Sequence, residues 1–152
     1  VSGPGPAKPG ANSQSPSTPG PSTPDEIDLS GPSPWATGAL LGLIEQAAQG
    51  VLVLCEGLTR DELLGSRLTR TEVLRQLSTL TLSATQLDAA VQAAMPELDW
   101  AGWAALAPRL RAPAGPALDE ALWFAVESLV PATLLWLRFY RQQQPRWFRI
   151  GL

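Results

Sequence analysis

No histidine occurs anywhere in this chain. Histidine is the one side chain whose ordinary pKa lies near neutral pH. Its absence excludes Ser-His-Asp and Cys-His nucleophile systems, His-bearing zinc sites and imidazole proton shuttles. Lysine is nearly as scarce: Lys8 is the only one. Cys55 is the only cysteine, which excludes an internal disulfide and a cysteine zinc cluster. A lone thiol fits a reducing, cytoplasmic compartment. Charge of one sign is also missing in bulk. The net charge is −3, and Lys8 set against Asp25, Glu26 and Asp28 accounts for −2 of it, which leaves −1 for the rest. Nothing in that balance argues for nucleic acid. No metal or cofactor is expected.

What is present divides into three parts. Residues 1–36 hold Pro4, Pro6, Pro9, Pro16, Pro19, Pro21, Pro24, Pro32 and Pro34, with Ser, Gly and Thr between them. Such a segment buries too little apolar surface to offset its ordering entropy, so a disordered, polyproline-like tail is predicted. It has no apolar stretch of the secretory-signal kind. Residues 37–142 are rich in Leu, Ala and Trp and form the predicted domain, and residues 143–152 form a short Arg/aromatic tail. Arg in place of Lys, with abundant Ala, reads as the coding bias of a GC-rich bacterial genome.

From Gly38 on, the pattern is helical. Leu40, Leu41, Leu43, Ile44, Ala47, Ala48, Val51, Leu52, Leu54 and Cys55 predict a helix apolar on most sides, wet at Glu45, Gln46 and Gln49, and stopped by Gly57. Thr59 and Glu62 read as a capping box, and so do Thr69 and Glu72. Val73, Leu77, Leu80, Ala84, Leu87, Val91 and Ala94 predict one unbroken helix, ended by Pro96. Asp99 caps a short helix bearing Trp100 and Trp103, and Ala112–Pro116 is a loop. The last helix starts near Leu118. Its seam is Leu118, Leu122, Ala125, Leu129, Ala132, Trp136 and Phe139, and a second apolar face holds Trp123, Val126, Val130, Leu134 and Leu137. Pro131 kinks it. Pro145 limits it to about Gln144. No segment alternates as a strand does. The fold class is therefore all-α, an antiparallel four- to five-helix bundle. Two apolar faces on one helix suggest two partners, the rest of the fold and another subunit.

The succession of motifs carries a resemblance. Glu56-Gly57-Leu58 leads into Asp61-Glu62-Leu63-Leu64, and Leu68-Thr69-Arg70-Thr71-Glu72-Val73-Leu74-Arg75 opens the long helix. Met95-Pro96-Glu97-Leu98-Asp99-Trp100 follows, then Leu122-Trp123 and Leu129-Val130-Pro131. Over residues 38–142 this order resembles the HepT-like branch of the HEPN superfamily. The resemblance implies a dimerising helical bundle. Many members are RNA-cleaving toxins of bacterial toxin–antitoxin pairs, neutralised by a nucleotidyltransferase partner. Their metal-free chemistry rests on an Arg, a following polar residue and a His, with a modifiable Tyr beside it. In this chain the family Arg aligns with Ala107, the polar residue with Pro108, the His with Ala112 and the Tyr with Ala114. Alanine neither moves a proton nor stabilises charge. The resemblance thus implies a degenerate site in which Ala107 and Ala112 face each other, and a non-catalytic dimerisation or interaction module.

Other readings stay open. Arg109 and Arg111 are either a remnant that touches RNA phosphate or a solvated helix end. The run Trp136, Arg138, Phe139, Tyr140, Arg141, Arg146, Trp147, Phe148, Arg149 fits stacked single-stranded nucleic acid, an interfacial membrane anchor, or aromatic packing. Ala121–Leu137 holds about 17 residues where a bilayer span wants ~20, and it contains Glu127 and Pro131, so no span is expected. Asp61, Glu62, Glu97 and Asp99 are better explained as caps than as metal ligands. Cys55 reads as a buried small hydrophobe.

Overall fold

The computed structural model describes residues 2–6, 10 and 33–149. Most of the predicted Pro-rich tail, residues 1–36, lies outside the described residues, and its last three residues, 34–36, belong to the first helix instead. Among those described, the fold is all-α, without strands.

Helix α1 spans Pro34–Cys55 and begins ahead of Gly38, because Ser33 caps it and Pro34 takes the first helical position. Its buried face is Thr37, Gly38, Leu41, Ile44, Ala47, Ala48 and Val51, one stripe at helical spacing. Gly57, at φ +73°, turns the chain after it. The short helix α2 (Arg60–Gly65) carries the predicted Thr59–Glu62 capping box.

Helix α3 (Arg67–Gln86) corrects the sequence reading at both ends. Its cap is Ser66, whose hydroxyl accepts from the Thr69 backbone N–H, so Thr69 lies inside the helix and makes no capping box with Glu72. The helix also stops short of Ala94. Its last two turns carry Ser83 and Thr85, whose hydroxyls donate back to helix carbonyls and weaken the helix. Asp88 then accepts from the Ala90 N–H and starts a new helix, α4 (Ala89–Ala94). The apolar seam survives this break: Val73, Leu77, Leu80, Ala84, Leu87 and Val91 are all buried, whereas Ala94 is exposed. Gln92 seals the joint by donating to the Ala84 carbonyl at 2.8 Å.

Helix α5 (Trp100–Arg109) has the predicted Asp99 cap. Trp100 ties the end of α4 to it, with Nε1 donating to the carbonyls of Met95 and Gln92. Trp103 is fully buried, and its Nε1 donates to the Thr133 hydroxyl at 2.9 Å.

The last helix, α6, is continuous over Pro116–Gln143 but contains a π turn at Ala125–Leu129, where the Val130 N–H reaches the Ala125 carbonyl. Pro131 has no N–H, and the wider turn just before it takes up that irregularity. The extra residue rotates everything downstream. The buried face runs Leu118, Leu122, Ala125 and Leu129 as predicted, then shifts to Thr133, Leu137 and Tyr140. Ala132 and Phe139, placed on the seam by periodicity, are exposed, and Trp136 is half-buried. After Gln144 a 3-10 turn, Pro145–Phe148, folds back on α1. There a Cβ on Gly38 would sit 2.6 Å from the Arg149 carbonyl oxygen.

Around α1 pack α3, the second half of α6 and the 3-10 turn, and α5 packs on α3. An ion pair between Arg70 and Asp119, at 2.8 Å and partly buried, joins the start of α3 to the start of α6.

Candidate functional site

Neither of two clefts among the described residues holds all three positions that the resemblance singles out, Ala107, Ala112 and Ala114. Ala107, on α5, lines a cleft of about 240 Å³ with Ser78, Thr81, Leu82, Thr85, Leu110 and Arg111. Ala114 lines a different one with Leu64, Arg67, Arg70, Thr71, Leu74 and Leu118. Ala112, in the loop after α5, lines neither. The first cleft is a poor anion cradle. Ser78, Thr81 and Thr85 spend their hydroxyl protons on helix carbonyls, which leaves Arg111 as its one charged donor. In the second cleft Arg70 is committed to Asp119. Arg109 is exposed in the last turn of α5, where a cation suits the carbonyl end of a helix.

The C-terminal Arg/aromatic run is largely engaged within the fold. Arg141 pairs with Glu45 of α1, and its guanidinium lies 5.0 Å from the centre of the Phe148 ring. Trp136, Phe139 and Tyr140 form an edge-to-face cluster, with centroids 5.6 Å and 5.3 Å apart along the chain. Trp147 and Phe148 pack against the core. Arg138, Arg146 and Arg149 stay exposed. No group of three or more metal-ligating side chains gathers among the described residues.

Sequence reasoning missed one apolar concavity. A groove of about 520 Å³ lies between the end of α1 and the π turn, lined by Leu52, Val53, Cys55, Leu58, Trp123 and Val126, with Glu56 and Glu127 as its charged members. Val53 is 72 % exposed. The signal was in the sequence, in apolar residues too numerous for one helix face to bury. Burial raises the pKa of the Cys55 thiol here.

No family model, curated protein or solved structure matches this chain. The arrangement must therefore speak through its surfaces. The exposed side of α6 is one stripe at helical spacing: Glu120, Phe124, Glu127, Ser128, Pro131, Ala132, Leu135, Arg138, Phe139 and Gln142. Phe124, Leu135 and Phe139 are 46 %, 65 % and 44 % exposed. Large apolar side chains recurring along a single stripe mark a contact surface more strongly than scattered ones do.

Two helices also satisfy the length and hydropathy of a bilayer span: α1, with mean hydropathy 1.6, and α6, with 1.3. The count over Ala121–Leu137 understated α6, which is 28 residues long. Half of the apolar α6 window and a third of that in α1 are buried inside the fold, and core helices meet the same criteria.

Proposed function

We propose that this chain is a HepT-like helical interaction module, related to the ribonuclease toxins of the HEPN superfamily, whose catalytic Arg, His and Tyr positions have become Ala107, Ala112 and Ala114. It works by binding rather than by chemistry. In this reading its helices form the family's antiparallel bundle, two copies pair through α6, and the protein is cytoplasmic, with α1 and α6 serving as core helices and not as bilayer spans. A nucleotidyltransferase is the partner that the resemblance implies.

The observation that carries the reading is the unpartnered apolar stripe of Phe124, Leu135 and Phe139 on α6, beside a motif region with no proton-handling side chain. A binding module needs only such a surface. An RNA-cleaving toxin needs a group to take the 2′-OH proton, and the clefts at Ala107 and Ala114 supply arginine alone as a charged group. RNA binding through Arg138, Arg146 and Arg149 remains as the role the exposed cations would support.

The test pairs two measurements on the full chain. Light scattering should give a dimer, and labelled RNA should stay intact at micromolar protein. RNA cleavage that is lost in the Arg109→Ala, Arg111→Ala double variant would overturn the reading in favour of an active toxin. Salt-sensitive RNA binding lost on truncation after Gln142 would favour a nucleic-acid role instead.

A further inference from the structure

The exposed stripe of α6 is self-complementary in one orientation only. Its charges are segregated. Its first half carries Glu120 and Glu127 and no cation, Asp119 lying off the stripe and paired with Arg70. Its second half carries Arg138 and no carboxylate, Arg141 being paired with Glu45 and Arg146 and Arg149 lying beyond the helix end. Two copies of the helix laid side by side in parallel would set like charges together. Laid antiparallel, they set acid against base.

The apolar members fix the register. Phe124 and Phe139 are equally far from the step between Pro131 and Ala132, and so are Ser128 and Leu135. A two-fold axis at that step therefore stacks Phe124 on the partner's Phe139, seats Leu135 over the partner's small Ser128, and brings Ala132 to the partner's Pro131. Both halves of the contact repeat by symmetry, as a two-fold interface requires. Ala132 and Ser128 are small enough for close helix approach at its centre. In this register Glu127 and the partner's Arg138 are offset by two residues, about 3 Å along the axis at a rise of ~1.5 Å per residue. The arginine side chain spans that distance.

We infer that this protein forms an antiparallel homodimer through α6, with its two-fold axis at Pro131–Ala132 and a symmetric pair of Glu127–Arg138 ion pairs flanking the apolar contacts. The inference rests on the proposed self-association and adds its geometry. The π turn is what makes the surface. Without its extra residue Ala132 and Phe139 would continue the buried seam of Leu122, Ala125 and Leu129.

The experiment is a charge swap in the full chain, read by sedimentation velocity. Glu127→Arg and Arg138→Glu each place like charges together twice per dimer, and each should weaken association about tenfold or more. Both residues are exposed, so both variants should melt like the wild type, which circular dichroism checks. Mixing the two variants should restore the dimer as a heterodimer, since every contact is then of opposite charge. A dimeric wild type with both variants equally dimeric, or with no rescue on mixing, overturns this geometry and leaves the self-association standing. A wild type that stays monomeric at ~100 μM overturns the self-association and the geometry with it.

Discussion

Trp103 and Thr133 make the one buried side-chain hydrogen bond that joins α5 to α6. The indole N–H has no water to turn to, so removing its acceptor leaves a buried donor unpaired. Thr133→Val, nearly isosteric, should cost about 1–3 kcal/mol in urea denaturation. A change within 0.3 kcal/mol, roughly the noise of such measurements, would show that the donor finds another partner. Gly38 poses the opposite problem. In a helix interior, Gly→Ala ordinarily stabilises by up to about 1 kcal/mol. Here the new Cβ would meet the Arg149 carbonyl, so the sign should reverse, with a loss of about 1–3 kcal/mol and faster proteolysis after Arg146 or Arg149. Cys55 belongs at this scale too. Its thiol, held protonated by burial, should alkylate more slowly than free cysteine at pH 7.5 and reach the free rate once urea unfolds the chain. Glu72 shows how little a surface pair contributes. Hydrogen bonds from Arg75 and Gln76 lower its pKa. A lowered carboxylate stabilises the fold above its unfolded value and loses that contribution as pH falls through the folded one. Glu72→Gln should therefore lower stability slightly near neutral pH, leave it unchanged once pH is below the folded pKa of Glu72, and so flatten the profile between the two.

Among the helices, caps decide where elements start. Asp88 divides α3 from α4, and Asp88→Ala should cost about 0.5–2 kcal/mol, read as a lower urea midpoint. Much of this level was legible in the residues. Thr59–Glu62, Asp99 and Gly57 lie where turn and cap chemistry put them, and the predicted Ala112–Pro116 loop gives up its last residue to α6, which starts at Pro116. Periodicity also picked out the buried positions from Val73 to Val91. It failed where two local signals compete. Ser66 and Thr69 both fit a helix start, local chemistry does not choose between them, and in the fold Ser66 is the cap. The seam from Val73 to Val91 keeps its spacing across the break at Asp88, so spacing alone reports one helix where there are two. Periodicity failed again at the π turn, because a strict period counts residues and a π turn adds one. Pro131 announced an irregularity, but not that Ala132 and Phe139 would turn outward. The candidate site was less legible still. Whether Ala107, Ala112 and Ala114 converge depends on how the Ala112–Pro116 loop leaves α5, and no local rule in the sequence fixes that direction.

At the scale of the whole molecule, the account is one of surplus apolar surface. The core is filled by Leu, Ile, Val and Trp103, and yet Phe124, Leu135 and Phe139 stay outside on a helix whose other side is fully used. Burying a large aliphatic or aromatic side chain is worth about 1.5–3 kcal/mol. Three such residues on each of two copies give a driving force that an exposed surface leaves unused. Leu135 is the most exposed of them, at 65 %, so Leu135→Glu should leave the monomer fold intact while it abolishes self-association. The measurement that bears most directly on the central claim is the solution mass of the full chain by light scattering, with the wild type and Leu135→Glu compared across a concentration series. The account predicts twice the chain mass for the wild type and the single chain mass for the variant, with unchanged helicity. A wild type of single chain mass throughout, or a variant that stays dimeric, would contradict it.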